Sequence, residues 1–391
     1  MTNSRSEKPV RILFLTTEDW YFFSHRLPLA RACRDRGWEV LVATRTSEHR
    51  AQIESEDFRV IEIQMRRRGR AIVSEIRSVF DLIRIFRRER PDIVHNVGLK
   101  PVIYGSLAGL VTRTAPVVNT LAGMGYVFSS GHFTIRVVRF AIKLMLKLCL
   151  SARKHWLVVQ NSADAGVLTG SRLASKNRTA IIPGFGVDVE RFRPGPEPEG
   201  PIVAAIVSRM LKDKGVREVV LAARELKRRN AGLEVWLVGD PDMENPTSLS
   251  ESDLRQWDAE GCIRWLGHQS DIAGIWAKAH IALLPSYREG MPMSLLEAAA
   301  CGRPIITSDV PGCNELVIDG ETGLLVERND WLGLANAMER LSLSSSLRAK
   351  LGVAAREKVC GEYGQEDIVR DTHLLYRQAL TQSGRIVPAT V

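Results

Sequence analysis

The stretch LPSYREGMPMSLLEAAACGRPIITSDV, residues 284–310, decides the fold of the second half of the chain. An apolar run at residues 280–285 predicts a buried strand, and a second run at residues 304–307 predicts the next one. Between them we expect a helix from about Met293 to Ala300, which Gly302 ends. A strand–helix–strand order of this kind is typical of a parallel sheet.

Two glutamates eight residues apart flank the start of this helix. Gly290 and Pro292 favour a loop around Glu289, whereas Glu297 is expected in the first helical turn. Ionised carboxylates accept hydrogen bonds from sugar hydroxyls, and a helix N-terminus favours phosphate. The pair therefore fits a ligand that carries both groups. The alternative is a capping box, formed by Ser294 and Glu297, beside a solvated Glu289.

Length and composition indicate a two-domain globular protein. The chain has 391 residues, of which 45% are hydrophobic. Its six cysteines form no C-x-x-C pair and indicate reduced thiols, as in a cytoplasmic protein. The opening residues MTNSRSEKPV do not resemble a signal peptide, and no apolar run is long enough to predict a spanning helix. Neither a disulfide-rich secreted protein nor an integral membrane protein is therefore expected.

The net charge of +9 is concentrated in the first half. Residues 1–199 contain 32 Lys and Arg against 19 Asp and Glu, whereas the remainder contains 22 against 26. No acid occurs between Asp92 and Asp164. This bias indicates an anionic partner, such as a membrane surface or a phosphorylated acceptor; a solvated basic face is the alternative. Nucleic acid is not expected, because no known reading module is recognisable.

Strand and helix patterns alternate along the first half. Helices are expected at residues 24–37, with Ser24 as the N-cap, and at residues 71–89. Apolar runs predict strands at residues 10–17, 39–45, 60–65, 92–97, 116–121 and 156–161. The alternation predicts a doubly wound parallel sheet, whose ligands bind at the carboxyl ends of the strands. The expected site therefore lies in the loops after Thr17, Val97, Leu121 and Asn161.

A basic, otherwise very apolar segment occupies residues 133–155. Four cations at three- and four-residue spacing share one face of the predicted helix: Arg136, Arg139, Lys143 and Lys147. Such a helix suits the surface of anionic lipid, at the inner face of a cell membrane. A core helix of the first domain with a solvated basic edge fits the same pattern.

The second half repeats the alternation after a linker, PGPEPEGP, at residues 194–201. Strands are expected at residues 202–208, 234–239, 262–267, 281–285 and 304–308. Arg209 and Lys214 follow the first of these strands and precede a helix. Cations placed there would neutralise charge on a departing phosphate without a metal, although a solvated pair is the alternative. No D-x-D motif stands at a strand end, so neither a metal nor a cofactor is expected.

These motifs resemble the E-x7-E and R-x4-K signatures of glycosyltransferase family 4, whose members are retaining enzymes of the GT-B fold. The loop with Glu18-Asp19-Trp20 and Ser24-His25-Arg26, the segment 97–101 and the turn 123–126 are similar to one subgroup. That subgroup acts on polyprenyl-diphosphate-linked sugars in bacterial surface-polysaccharide and glycoprotein pathways. The resemblance implies two doubly wound, Rossmann-like α/β domains facing across a cleft. We place them at residues 1–193 and 201–365, with a helix at 366–382 that crosses back to the first domain.

The resemblance also implies roles for individual residues. Glu289 would contact the donor sugar, Arg209 and Lys214 would clamp the diphosphate, and Glu297 would hold the ribose hydroxyls. Further donor contacts are assigned to Gly290, Met291, Pro292, Ser294, Leu295, Gly239 and His268. Acceptor-side candidates are His25, Lys100, Gly123 and Gly125. Lys100 would either hold a phosphate or cap surface carbonyls.

A histidine near the reacting sugar, common in the family, has no clear counterpart here. Ala122 occupies its place, or Asn119 if the alignment slips, and His25 and His95 remain candidates. His280 stands where the family usually has an aspartate, and we interpret it as a packing residue. The segment 312–315 is expected to support the loop over the diphosphate.

The expected function is retaining transfer of a hexose or N-acetylhexosamine from a nucleotide diphosphate, expected to be a UDP-sugar, to an acceptor hydroxyl. The acceptor is expected to be a lipid-linked saccharide, a sugar on a polyprenyl diphosphate. One alternative is a nucleotide-sugar 2-epimerase, which would convert the donor without any acceptor. The other is a non-catalytic sugar or lipid-phosphate binding protein, which would not require the four charged residues of the two motifs.

Overall fold

The computed structural model describes residues 8–65, 72–113, 115–122 and 133–385, without the side chains of residues 72 and 133–139. Over these residues the chain forms two compact units. The first unit comprises the residues up to Phe185 and those from Ile368 onward, and the second is Gly186–Asp367. Each unit contains a parallel sheet with its own helices. The prediction of two Rossmann-like α/β domains is therefore confirmed.

The sheet of the first unit has the strand order β3-β2-β1-β4-β5-β6-β7 and is parallel throughout the described residues. Its central strands are buried along their whole length, because helices cover both faces of the sheet. The strands are β1 (Arg11–Glu18), β2 (Glu39–Arg45), β3 (Arg59–Glu62), β4 (Ile93–Val97), β5 (Val117–Leu121), β6 (His155–Val159) and β7 (Thr179–Ile181).

The helices of the first unit lie between these strands. They are α1 (Asp19–His25), α2 (Leu27–Asp35), α3 (Arg50–Glu54), α4 (Ile72–Glu89), α5 (Leu99–Thr112), α6 (Phe133–Leu150) and α7 (Ser162–Gly170). Side chains of α4 and α5 form one hydrophobic cluster with the sheet, and side chains of α5, α6 and α7 form another. A third cluster contains side chains of α2 together with residues near the end of the chain.

The segment after β1 differs from the expected loop with Ser24 as an N-cap. Ser24 lies within α1, and α2 begins only at Leu27. The fully buried carboxylate of Asp19 accounts for the early start of α1. It accepts hydrogen bonds from the backbone N–H (2.6 Å) and the hydroxyl (2.5 Å) of Ser47 and from the backbone N–H of His49 (3.1 Å). Burial raises the pKa of Asp19, but these hydrogen bonds outweigh it and lower the pKa below its usual value.

The sheet of the second unit has the order β10-β9-β8-β11-β12-β13. Its strands are β8 (Ile202–Val207), β9 (Leu233–Val238), β10 (Arg264–Trp265), β11 (Ile281–Leu284), β12 (Ile305–Ser308) and β13 (Gly323–Val326). Its helices are α8 (Val216–Arg228), α9 (Glu251–Ala259), α10 (Ile272–Lys278), α11 (Met293–Ala300), α12 (Cys313–Leu316), α13 (Trp331–Ser342) and α14 (Ser345–Glu362). Short 3₁₀ turns occupy Lys176–Arg178 in the first unit and Lys212–Lys214 in the second.

The first unit ends at Phe185 rather than at residue 193. Val187 donates its backbone N–H to the carbonyl of Tyr363 (2.9 Å), and its own carbonyl accepts from Gln365 (3.0 Å). Phe192 is 5% exposed and belongs to the core of the second unit. These contacts attach residues 186–193 to the second unit.

The last helix, α15 (Gln365–Gln382), begins in the second unit and continues into the first. Its buried face packs in the cluster that contains α2, through Ile368, Leu375, Tyr376, Ala379 and Leu380. The Tyr376 hydroxyl lies 2.5 Å from Nδ1 of His95 on β4. The first unit is therefore built from two separate pieces of the chain.

Candidate active site

The predicted donor residues lie where the strand order of the second sheet reverses. β8 stands between β9 and β11, so the chain leaves the carboxyl end of β8 in one direction and that of β11 in the other. Ligands of open α/β sheets bind at such a switch point. Lys214 follows β8 and Glu289 follows β11, which brings the two motifs to adjacent loops.

These two loops are interlocked through their backbones. The N–H of Tyr287 donates to the carbonyl of Asp213 at 2.9 Å. Gly215 has φ of +72°, and a Cβ atom at this position would lie 2.1 Å from the carbonyl oxygen of Pro285. Only glycine fits such a close approach, so the loop after β8 is held directly against the loop after β11.

The charged centre of the site is an ion pair between Lys214 and Glu289. Nζ of Lys214 lies 2.5 Å from Oε1 of Glu289, and the hydroxyl of Ser286 donates to the same oxygen at 2.7 Å. Glu289 is only 8% exposed. A cation and a hydrogen-bond acceptor are thus held side by side, as a diphosphate and a neighbouring sugar would require.

The segment after β12 supports the loop that carries Glu289. Gly312 has φ of +85°, and a Cβ atom there would lie 2.7 Å from the carbonyl oxygens of both Glu289 and Gly290. The N–H of Glu289 donates to the carbonyl of Pro311 at 3.2 Å. The predicted supporting role of residues 312–315 is consistent with these contacts.

The helix α11 has the predicted bounds but not the predicted cap. Pro292 is its N-cap residue, and no side chain of the described residues caps it. The alternative prediction, a capping box formed by Ser294 and Glu297, is therefore wrong. Glu297 is the fifth residue of α11 rather than a member of its first turn, because the helix begins directly after Pro292. Gly290, Met291 and Pro292 are buried, and Ser294 is half-buried.

Glu297 lies in a different environment from Glu289. It is half-buried, and burial raises its pKa to about 7, while the nearby Arg191 acts in the opposite direction. A carboxyl group with this pKa changes its charge close to neutral pH. Its capacity to accept two hydroxyl hydrogen bonds therefore depends on pH in this range.

Arg209, the first cation of the R-x4-K motif, pairs with Asp242 in the loop after β9. Its Nη1 lies 2.5 Å from Oδ2 of Asp242, and the arginine side chain is 46% exposed. Gly239 keeps this loop close, since a Cβ atom there would lie 2.0 Å from the carbonyl oxygen of Ser208. The structure thus places Arg209 at the same end of the sheet as Lys214, but with its own partner.

Three other predicted donor residues are arranged as follows. Leu295 is fully buried in the core of the second unit, and its N–H donates to the carbonyl of Pro292 at 3.0 Å. The N–H of Gly239 donates to the carbonyl of Gly267 (2.8 Å), and its carbonyl accepts from the indole N–H of Trp265 (2.9 Å). His268 is exposed just after β10.

The acceptor-side candidates lie in the first unit. His25 stacks on Phe185 with ring centroids 4.2 Å apart. Lys100 pairs with Glu75 at 2.8 Å, and the contact with a phosphate or with surface carbonyls expected for it stays a prediction. Glu75 lies on α4 and Lys100 lies on α5. Because these two helices pack side by side, the opposite charges meet. Gly123 and Gly125 lie outside the described residues.

The two further first-unit candidates are buried in hydrogen-bonded networks. His95 is 1% exposed, with Nε2 at 2.7 Å from the hydroxyl of Thr120, and burial lowers its pKa well below the usual value. Asn119 accepts hydrogen bonds from Asn96 and Ser106, both at 2.9 Å. These contacts indicate structural roles. His280, interpreted from sequence as a packing residue, accepts from the N–H of Val203 at 3.1 Å.

Several partners of the site were not identified from the sequence. Ser286 contacts Glu289 from three positions away. Asp242 pairs with Arg209 from thirty-three positions away. Arg191 acts on Glu297 from more than a hundred positions away. Only Ser286 carries a local signal, since a hydroxyl three residues before Glu289 can reach back to it. Among the described residues, no cluster of three His, Cys, Asp or Glu side chains is arranged to hold a metal ion.

Two protein-family models match the chain, one in each half. The model described as glycosyl transferase 4-like matches residues 11–161, and the model described as glycosyl transferases group 1 matches residues 188–358. The latter match contains Arg209, Lys214, Glu289 and Glu297.

The chain also resembles curated proteins along most of its length. It is 25% identical over 377 residues to the capsular polysaccharide biosynthesis glycosyltransferase CapM of Staphylococcus aureus, covering 92% of this chain and 96% of that protein. It is 27% identical over 385 residues to N,N'-diacetylbacillosaminyl-diphospho-undecaprenol alpha-1,3-N-acetylgalactosaminyltransferase of Campylobacter jejuni, covering 95% and 99%. It is 25% identical to UDP-Gal:alpha-D-GlcNAc-diphosphoundecaprenol alpha-1,3-galactosyltransferase of Escherichia coli, covering 70% and 72%.

The fold is shared with solved structures. Sucrose-phosphate synthase from Thermosynechococcus elongatus superposes with a TM-score of 0.78 at 20% identity, covering 95% of this chain and 100% of that one. Since one family model matches within each of the two parallel-sheet units, the chain belongs to the glycosyltransferases of the GT-B fold, with a glycosyl transferase 4-like first domain and a group 1 second domain.

Proposed function

We propose that the protein is a retaining glycosyltransferase that moves a sugar from a UDP-sugar to a hydroxyl of a polyprenyl-diphosphate-linked saccharide, in the synthesis of a surface polysaccharide or glycan. The observation that carries the proposal is the Lys214–Glu289 pair at the switch point of the second sheet. Similarity to the Campylobacter jejuni and Escherichia coli enzymes, whose names include undecaprenol-linked acceptors, supports the choice of acceptor.

In this proposal the donor separates the ion pair. The ammonium of Lys214 turns to the diphosphate, where negative charge grows as the glycosidic bond breaks, and Arg209 adds a second cation. Glu289 accepts hydrogen bonds from hydroxyls of the donor sugar, while Ser286 keeps its carboxylate in place. Glu297 accepts from the ribose hydroxyls. The cationic side chains perform the leaving-group stabilisation, so no metal ion is required.

Retention follows if the acceptor attacks from the face that the diphosphate leaves. The departing phosphate oxygen then takes the proton of the acceptor hydroxyl, and the new bond forms on the same side of the sugar ring. Glu289 orients the sugar in this scheme and forms no covalent bond to it. Product analysis by NMR should show the anomeric configuration of the donor.

The proposal includes binding at an anionic membrane surface through α6. Three of its apolar side chains are at least half exposed, namely Phe140 (71%), Leu144 (53%) and Leu148 (50%), and Lys143 and Lys147 beside them are exposed. This combination of apolar and cationic side chains favours the lipid interface. None of the described helices is long and apolar enough to cross a bilayer.

The decisive experiment is an assay of labelled nucleotide sugars, one at a time, with a lipid extract as acceptor. We expect one UDP-sugar to give a labelled product in the lipid fraction, in EDTA as well as in buffer with magnesium. Conversion of the donor to another nucleotide sugar without any acceptor would contradict transfer and favour an epimerase. Loss of activity in EDTA, restored by a divalent cation, would contradict the metal-free leaving-group step.

A further inference from the structure

A cavity of about 510 Å³ opens in the second unit, away from the proposed donor site. Its wall includes the residues that directly precede β11 and β12, so it lies at the amino end of the sheet, whereas Lys214 and Glu289 follow strands at the carboxyl end. Its volume is in the range of small-molecule sites, about 300–1,000 Å³. The rest of its wall comes from α14 and from the connector, which we define as residues 192–198.

Three arginines line this cavity: Arg303, Arg348 and Arg356. The first two are each only 5% exposed. All three use part of the guanidinium group for backbone carbonyls. Nε of Arg303 donates to Trp276 (2.8 Å), and Nη1 of Arg348 donates to Leu341 (2.6 Å).

Each guanidinium retains an amino group with no hydrogen bond to the described residues. These groups are Nη1 of Arg303, Nη2 of Arg348 and Nη2 of Arg356. An arginine has five N–H donors, and none of these three amino groups is a buried atom without a partner, so each retains accessible surface for a ligand. Three incompletely used donors on the wall of one cavity indicate that the cavity suits a ligand rich in acceptor atoms.

The charges around the cavity favour an anion. Of its two glutamates, Glu357 is exposed, and Glu197 is already paired with Arg348, with Oε1 at 2.5 Å from Nε. Arg303 forms no direct salt bridge with a carboxylate of the described residues; burial lowers its pKa, and the more distant Glu197 acts in the opposite direction. His280 accepts a hydrogen bond at Nδ1 and faces the carbonyl of Pro198 through Nε2 at 3.0 Å, which is the pattern of a neutral imidazole. A buried cation without a direct salt bridge costs free energy that an anionic ligand would offset.

We propose that this cavity is a binding site for a small organic phosphate of about the size of a sugar phosphate. A phosphate offers more acceptor oxygens than a carboxylate and matches the fork geometry of guanidinium groups. Pro194, Pro304 and Val353 provide an apolar wall for the organic part. The site goes beyond the transfer reaction, because it contains none of the residues assigned to the donor.

The site is positioned to affect the connector. Arg303 Nη2 donates to the carbonyl of Pro196 (3.3 Å), Arg356 Nη1 donates to that of Phe192 (3.3 Å), and Arg348 holds Glu197. The arginines that would bind the phosphate therefore also form hydrogen bonds with the connector, which leads into the second sheet. A bound phosphate would order these side chains and the connector with them.

The chain contains a pair of cysteines that allows a direct test. Cys360 lines the cavity and is half-buried, whereas Cys262 is equally half-buried in the same unit but outside the cavity. The full-length protein is treated with iodoacetamide, and the alkylation rate of each cysteine is followed by peptide mass spectrometry. The probes are glucose 1-phosphate, glucose 6-phosphate, inorganic phosphate, and glucose with added sodium chloride.

We expect at least one sugar phosphate to slow the alkylation of Cys360 severalfold at millimolar concentration, with no change at Cys262, and to raise the Tm. Inorganic phosphate should act more weakly, and glucose with salt should not act. Arg356→Gln should weaken the protection roughly tenfold or more, as expected for the loss of one charge-assisted contact. Val353→Trp, which keeps every arginine, should fill the cavity and remove the protection, whereas Leu343→Trp at an exposed position should not.

Three outcomes would overturn the proposal. The first is that no phosphate protects Cys360. The second is equal protection of Cys262, which would indicate a general effect on the fold. The third is full protection in Val353→Trp. None of them bears on the transferase activity, which is assayed separately with a nucleotide sugar and an acceptor.

Discussion

At the scale of single residues, Lys214 and Glu289 are bound to each other, and in the proposed mechanism they exchange partners when a donor binds. Lys214→Ala should therefore reduce kcat strongly, by about 10²–10³ if it removes one preorganised contact to the departing phosphate. The matched control is Lys212→Ala, which removes an exposed lysine two positions away. Steady-state kinetics compare the two variants, and wild-type turnover in Lys214→Ala would contradict the clamp.

Removing one or both charges of the Lys214–Glu289 pair should affect the stability of the protein and its activity differently. Removing Lys214 alone leaves the carboxylate of Glu289, 8% exposed, without its cation, and breaking such a buried pair costs up to about 3–5 kcal/mol. The double variant Lys214→Met/Glu289→Gln removes both charges, so its free energy of unfolding should return towards that of the wild type. Its activity should remain lost. Urea denaturation and the transfer assay measure the two quantities, and a double variant no more stable than Lys214→Met would argue against the pair.

Glu297 predicts a pH-dependent affinity for the donor. Its pKa is raised to about 7, so the carboxylate that is proposed to accept ribose hydroxyls forms as the pH rises through this value. The donor KM of the wild type should therefore fall between pH 6 and pH 8, and Glu297→Gln should abolish that dependence. Glu297→Ala should raise KM roughly ten- to a hundredfold at pH 8, from about 1.5–3 kcal/mol of lost binding. An unchanged KM would refute the ribose contact.

The contribution of Glu297 to the free energy of unfolding should fall as the pH rises, whereas the affinity for the donor should rise. A raised pKa means that the folded state binds the proton more tightly than the unfolded state. The stability that Glu297 contributes is therefore complete below its usual pKa of 4.5 and is lost as the pH rises through about 7. At pH 8, Glu297→Gln should therefore be at least as stable as the wild type. Thermal unfolding at pH 5 and pH 8 tests the sign.

At this scale the sequence predicts the charged residues but not their partners. Lys214 and Glu289 carry recognisable spacings, whereas the pairing of Arg209 with Asp242 depends on how closely Gly239 approaches Ser208. The raised pKa of Glu297 depends on tertiary burial. Neither property is encoded in local spacing.

At the scale of elements, Gly312 offers a sharp test of the loop that carries Glu289. Gly312→Ala would place a Cβ atom 2.7 Å from two backbone carbonyls, so the loop must shift and kcat should fall. Gly320→Ala is the matched control, because Gly320 has a similar φ of +73° but no atom within 4 Å of the added Cβ. Both variants place a side chain at a positive φ, so equal activity in the two would show that the loop contact is unimportant.

The helix α6 predicts binding to anionic vesicles. Lys143→Glu/Lys147→Glu should abolish co-sedimentation with phosphatidylglycerol vesicles, because like charges replace the attraction near the surface. The charge-matched control, Lys278→Glu/Lys350→Glu, changes exposed lysines of the second unit and should bind as the wild type does. Retained binding of the first variant would remove α6 from the proposal. The side chains of Arg136 and Arg139, also predicted on this face, lie outside the described ones.

The sequence predicts elements with a strong apolar pattern well, even short ones such as β11, but not elements that lack such a pattern. Continuous apolar runs identified β1, β4 and β11, because strands buried on both faces need little else. The strands β7 and β13 have only three and four residues and gave no such signal. The helix α1 was taken for a loop, because its start depends on the distant contact between Asp19 and Ser47.

At the scale of the whole molecule, the first unit depends on the end of the chain. Tyr376 is fully buried there, so Tyr376→Ala should destabilise the protein by about 3–5 kcal/mol, as for other large aromatic truncations. Leu374→Ala, on the exposed side of the same helix, should have little effect. Urea denaturation of the two variants measures the difference, and a mild Tyr376→Ala would show that α15 adds little to this core.

This arrangement has a consequence for synthesis in the cell. Domains usually fold as units while translation proceeds from the N-terminus. Here the sheet of the first unit emerges from the ribosome long before Ile368–Leu380, so its apolar face stays uncovered until that part of α15 has been translated. The intervening unit, Gly186–Asp367, contains all of its own sheet and has no such delay. A nascent chain of this protein should therefore complete its middle part before its beginning, and the early part is where a chaperone is needed.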